Sequence, residues 1–206
     1  VSRIPGLLPA QLDEAQAALY DAIVGGDRAK DASASLTDDD GSLIGPFNAL
    51  WYSPEVGDAV QRLGAAIRFR SGLSPRTREI ATLAVAAKWQ SHFEWWAHEP
   101  MGRRAGITDD QLAAMKAGGE ARFEDDRDQL TYDFCRAVLR TADVADPLYQ
   151  AMVRDLGEPR VFELLVLVGY YSLLAQMMRI FRVGLPDGEA AVFTDEHADD
   201  SITEAD

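Results

Sequence analysis

The chain has 206 residues, with 34 acidic against 20 basic side chains and a formal charge of −14 at pH 7. That balance argues against a nucleic-acid surface, which needs clustered Lys and Arg; with 47% hydrophobic residues, one domain with a sizeable core is expected. Cys135 is the only cysteine, so no intrachain disulfide can form and a reduced, cytoplasmic setting is the expectation.

In chain order, Leu12, Ala15, Leu19, Ala22 and Ile23 form a first helical stripe that Gly25-Gly26 ends. Residues 27–40 are polar and read as a long loop. Residues 45–54, GPFNALWYSP, are an apolar, turn-punctuated lead-in, with Ser53 as N-cap and Pro54 opening the next helix. Ser74-Pro75 repeats that grammar before Ile80, Leu83, Ala84 and Ala87. Thr108 and Gln111 have capping-box spacing, and Asp146-Pro147 reads as a further cap. The apolar run VFELLVLVGYYSLLAQMMRIF, 161–181, carries Glu163 and Arg179. Its uncharged part is shorter than the roughly 20 residues that span a bilayer, so it reads as a core helix and not a membrane anchor.

About eight helices with short loops predict an all-α domain. Three regions are expected: an N-terminal helix and polar loop over 1–44, a helical core over 45–190, and an acidic, disordered tail over 191–206. No secretory signal is legible, since Ile4–Leu8 is too short and is interrupted by Pro5 and Gly6.

The stretch WQSHFEWWAHEP, 89–100, concentrates chemistry. In a helix Ser91, Glu94, Trp95 and His98 share one face, and Glu94 and His98 stand four apart, which makes them neighbours. The pair reads as a surface contact, a structural bond, half of a metal site or an acid/base couple. Glu79 in one unbroken helix would lie about 100° from His98. A joint role for the two requires a break near Lys88–Gln90. His92 points almost opposite to Glu94 and reads as a surface or interface residue; Trp89, Trp95 and Trp96 suit a core or interface as well as a substrate platform. A metal site of Glu79, Glu94 and His98 lacks a second histidine or a matching Glu-x-x-His, so no metal or cofactor is expected.

Residues 73–118, LSPRTREIATLAVAAKWQSHFEWWAHEPMGRRAGITDDQLAAMKAG, resemble the carboxymuconolactone decarboxylase family, whose fold is that of the alkylhydroperoxidase AhpD. The resemblance rests on the SPRTRE helix start with Glu79, the Glu-x-x-x-His turn and the Arg-Ala-Gly exit. Residues 45–64 and 163–188 resemble the lead-in and last core helix of longer members. The resemblance implies a homo-oligomer, trimer or hexamer, and a small-molecule substrate. In the family's thiol peroxidases a Cys-x-x-Cys precedes the histidine; here Ser91 and Glu94 stand at those positions, so dithiol exchange is excluded for want of thiols. The decarboxylase branch works without thiols. The resemblance therefore implies cofactor-independent proton transfer at carbon, as a lyase or isomerase acting on a cyclic or enolisable acid or lactone. His98 would be the acid/base, Glu94 its partner and Glu79 a relay or orienting group. Arg76, Arg78 and Arg179 would hold an anion, with Trp95, Tyr170 and Asn48, beside Phe47 and Trp51, lining the pocket. A non-catalytic binding or scaffold protein and a metal-dependent enzyme are the alternatives.

Overall fold

The structure, a computed structural model, describes residues 2–30 and 36–194. Among them are nine α-helices and no strand, as the all-α expectation required. The helices are α1 (Glu14–Val24), α2 (Asp27–Lys30), α3 (Pro54–Arg70), α4 (Pro75–Trp89), α5 (His92–Arg104), α6 (Asp109–Lys116), α7 (Asp126–Thr141), α8 (Asp146–Leu156) and α9 (Glu158–Phe181). Two 3₁₀ helices, Pro9–Gln11 and Gly45–Tyr52, precede α1 and α3. The polar loop of the first region thus carries a short helix, α2; residues 31–35 and most of the acidic tail lie outside the described residues.

The packing centres on α4. Ile80, Ala81, Leu83, Val85 and Ala86 are buried on several faces at once, because α5, α7 and α9 all pack against this helix. A helix buried all round shows little amphipathic periodicity, and its alanines let neighbours approach closely. α9 is long and apolar enough to cross a membrane by length and composition alone. Its inward residues Leu164, Leu167, Val168, Ala175 and Met178 are core, as read from the sequence.

The caps follow local chemistry unevenly. Ser74 Oγ accepts from Thr77 N–H at 3.0 Å, and Thr108 and Gln111 form the expected reciprocal box. Ser53 makes no side-chain cap bond, and the N-cap before Pro147 is Ala145, with Asp146 already the first helical residue. Capping of α1 by Asp13 and Gln16 was not anticipated. The first residues after the core region pack back on it. Val192 and Phe193 donate their N–H groups to His92 Nδ1 at 3.0 and 3.3 Å, and Phe193 is buried edge-on to Trp95. His92, read as a surface or interface residue, fastens the start of the tail region onto the core.

Candidate functional site

The break needed between Glu79 and His98 is present. α4 ends at Trp89, Gln90 caps it in the left-handed region at φ +48°, and α5 begins at His92. A non-glycine residue in that region costs on the order of 1–2 kcal/mol, offset here by hydrogen bonds. Ser91 N–H donates back to Ala86 O at 2.9 Å, and Arg179 Nη1 donates to Trp89 O at 2.9 Å. Arg179 thus holds the turn and does not face the site described next.

The turn lays α5 against α4 and brings His98 Nδ1 to 2.8 Å from Glu79 Oε2, with both residues buried. The imidazole's hydrogen-bond partner is therefore Glu79 and not Glu94, because the chain bends between the former pair while the latter is joined only by helix spacing. The other side of the His98 ring meets Tyr171 edge-on at 5.1 Å between centroids.

His98 and Glu94 together line a cavity of about 90 Å³. At roughly one water per 10–15 Å³ of such space, it has room for a guest of about six to nine non-hydrogen atoms. Phe47 and Phe93 give it apolar walls, Tyr170 and Tyr171 its polar rings, and Arg28 and Arg68 its cations. Gly45 at φ +60° seats Phe93: a Cβ there would fall 2.3 Å from the ring. Gly64 plays the same part opposite, where a Cβ would lie 2.1 Å from Tyr170 Oη and 2.4 Å from Arg28 Nη2.

Glu94 is 3% exposed and neither carboxylate oxygen has a hydrogen-bond partner. Burial raises its pKa well above the ordinary carboxyl range, opposed only in part by the adjacent Ser91 hydroxyl, which lies outside good hydrogen-bond geometry. Burial likewise raises the Tyr170 and Tyr171 hydroxyls, with the nearby arginines acting in the opposite direction. The raised Glu94 value fixes a sign. Below its unfolded value near 4.5 both states hold the proton; above it the unfolded chain releases first, so this group's contribution to stability is lost as pH climbs toward the folded value. Glu94→Gln should therefore gain urea stability relative to the wild type as pH rises from 4.5. Parallel midpoints across that range would contradict a buried, neutral Glu94.

Four expected substrate contacts lie elsewhere. Arg76 pairs with Asp128 and donates to Ala105 O at 3.1 Å, because both acceptors face the start of α4. Arg78 donates to Leu73 O and lines an adjoining groove with Glu79 and Arg104, which shares Arg68 and Met101 with the cavity. Trp95 is fully buried in the core, and Asn48 Oδ1 is occupied by Trp51 Nε1 at 3.0 Å. Tyr170 and Phe47 do line the cavity; Arg28 and Arg68 were not anticipated, since nothing in a polar loop or on an exposed helix face marks them. Among the described residues no three His, Cys, Asp or Glu side chains converge as metal ligands; Glu79 is engaged by His98.

Residues 54–123 match the carboxymuconolactone decarboxylase family. No curated protein matches the chain. Among solved structures, an uncharacterized peroxidase-related protein from Ralstonia eutropha with an alkylhydroperoxidase AhpD core is similar with TM-score 0.69 and 18% identity, over 91% of this chain and 93% of its own. An AhpD-type putative antioxidant defence protein from Agrobacterium tumefaciens is similar with TM-score 0.60 and 19% identity, over 68% and 96%. A peroxidase-related protein from Silicibacter is similar with TM-score 0.59 and 15% identity, over 67% and 74%. At such identities the structures speak for the fold alone. The chain carries an AhpD-like fold, and its residues 54–123 are similar to the carboxymuconolactone decarboxylase family.

Proposed function

We propose that the chain catalyses proton transfer at carbon on a small enolisable acid or lactone, without thiol chemistry, as a lyase or isomerase. The observation that carries this is the His98–Glu79 hydrogen bond of 2.8 Å on the wall of a cavity that also holds the unpartnered carboxyl of Glu94. A carboxylate that takes the Nδ1 proton leaves Nε2 as the ring's basic atom, so tautomer and orientation are set together. In an isomerisation His98 removes a proton from the carbon next to a carbonyl. The electron pair moves onto the carbonyl oxygen, beside Glu94, whose carboxyl burial pushes toward its protonated, donating form, and the proton returns to carbon. In a decarboxylation the pair left by departing CO2 follows the same path, and His98 passes to carbon a proton that Nε2 has first taken from solvent. Neither route needs an external oxidant or reductant.

A peroxidase role, which the names of two of the similar proteins carry, does not suit this chain. Its single cysteine is fully buried, and burial pushes the Cys135 thiol up to about 12, which leaves it no thiolate to attack with. The test is deuterium entry at C3 of 2-oxobutyrate in D2O, followed by NMR. Acceleration above buffer by the wild type supports the reading, and a rate equal to buffer counts against it.

We also propose self-association through α9. Phe162, Leu165, Leu173 and Ile180 are 48–68% exposed along one face, a stripe of about 27 Å at 1.5 Å per residue. Gly169 interrupts it with open space where a Cβ would be, so a second copy could approach closely. Contiguous apolar faces of this kind mark protein contacts. Sedimentation of the wild type should give a multiple of the monomer mass, and Leu173→Glu the monomer; a monomeric wild type would end this proposal.

A further inference from the structure

The start of α5 carries a capping pattern that the fold does not use. Ser91-His92-Phe93-Glu94 has the Ser-x-x-Glu spacing of a capping box, in which the hydroxyl accepts from the third helical N–H and the carboxylate reaches back to the cap N–H. Asp13 with Gln16 and Thr108 with Gln111 close such boxes at the starts of α1 and α6. Ser91 is the N-cap of α5 and makes no side-chain cap bond. The backbone accounts for this. The Ser91 N–H is engaged by Ala86 O at 2.9 Å where α4 ends, so Glu94 has no cap donor to reach. Ser91 also stands at ψ 99°, where Asp13 and Thr108 stand at 177° and 160°. Hydroxyl and carboxyl are left buried, each residue 3% exposed, without a hydrogen-bond partner. They lie next to one another, and the Ser91 hydroxyl acts on the Glu94 carboxyl in favour of its charged form. The other ionisable groups around the pair are His98 one turn along α5 with Glu79 of α4 behind it, Tyr170 and Tyr171 of α9, Arg28 of α2 and Arg68 of α3.

We propose that Ser91 is a positioning residue for Glu94, its hydroxyl idle beside the protonated carboxyl and donating to the carboxylate that forms when Glu94 gives its proton to the guest's enolate oxygen. The catalytic use of the pair rests on the proton-transfer reading above; the pairing itself does not. In that step the Glu94 O–H bond breaks and an enol O–H bond forms, and both changes reverse when His98 returns a proton to carbon. A carboxylate made in a site shielded from water needs a donor at hand, since an unpaired buried charge costs far more than a neutral carboxyl. A hydrogen bond to a charged acceptor is roughly twice as strong as one between neutral groups. A hydroxyl that waits beside the acid therefore favours its ionised state over its neutral one. With no cap bond to hold it, the Ser91 hydroxyl can turn to the carboxylate as the charge appears.

Infrared spectroscopy of the full chain reads the pair without turnover, through the C=O band of a protonated carboxyl that persists above about pH 6, where exposed carboxyls are ionised, and that Glu94→Gln removes. Ser91→Ala should move the pH at which this band disappears up by about one unit, a tenfold weaker ionisation. Ser91→Thr keeps the hydroxyl and should leave the band near its wild-type pH. Because the hydroxyl makes no cap bond, Ser91→Ala should unfold at the wild-type urea midpoint or above it, whereas loss of a working N-cap lowers the midpoint. In the 2-oxobutyrate exchange assay Ser91→Ala should lose about tenfold in kcat, the same factor, with KM little changed, and Ser91→Thr should restore it. No such band in the wild type, an unchanged band in Ser91→Ala, the same shift in Ser91→Thr, or a lowered urea midpoint in Ser91→Ala overturns the proposal. The two readings fail separately. Wild-type exchange at the buffer rate with the band shift present would end the catalytic use and keep the pairing; accelerated wild-type exchange with no band shift in Ser91→Ala would keep proton transfer and remove Ser91 from it.

Discussion

His98→Ala should lower the rate of proton exchange on a carbon acid by about 10²–10⁴, the usual contribution of a positioned general acid or base. The variant removes both the basic ring nitrogen and the group that Glu79 orients. The fold should survive, since His98 is a buried side chain on α5 and not part of the α4 core. Glu79 would be left buried without its 2.8 Å partner, an unpaired buried carboxylate that costs on the order of 1–3 kcal/mol. Circular dichroism and urea unfolding of the variant should therefore show a folded chain of reduced stability, while the exchange assay shows the larger loss. Unchanged exchange in a folded His98→Ala chain would transfer the chemistry to another group or to none.

The second large effect separates packing from substrate contact. Trp95→Ala should cost about 3–5 kcal/mol of stability, the range for truncating a fully buried large aromatic. Trp95 has no exposed surface, packs edge-on to Phe193 with 5.7 Å between centroids, and stays off the cavity wall. Its variant, studied well below its unfolding temperature, should keep the exchange rate on 2-oxobutyrate within a factor of a few. A chain of nearly native stability whose exchange collapses would instead make Trp95 a substrate platform, the other reading its place beside Glu94 in the sequence allowed.

How much was legible in the sequence depends on how locally each feature is determined. The cap at Ser74 and the box at Thr108 and Gln111 are settled by a few neighbouring residues, and they are where the spacing placed them; the break at Gln90, which the sequence offered only as a condition, is held in part by Arg179 from α9. Glu79 and His98 meet because that one break reorients α5, so their proximity could be stated as a condition. The partner of the imidazole was misassigned because helix spacing makes Glu94 and His98 neighbours without making them bond, and Glu94 turned out to have no partner at all. The cations could not be found this way. Arg76 and Arg78 stand next to Glu79 in the chain but are engaged by Asp128 and Leu73 O, whereas Arg28 reaches the cavity from an extension distant in sequence. Likewise, nothing in an acidic C-terminal segment announces that Phe193 is core. Long-range packing decides these, and no local pattern encodes it.

The central claim is that a Glu79-oriented His98 moves protons on a carbon acid held in the cavity. Its most direct measurement is the rate of deuterium entry at C3 of 2-oxobutyrate, by NMR in D2O, for the wild type and Glu79→Gln side by side. The account predicts acceleration above buffer by the wild type and a loss of at least about tenfold in Glu79→Gln, since a positioned partner is part of the acid/base contribution. A wild-type rate equal to buffer, or a Glu79→Gln rate equal to the wild type, would contradict it.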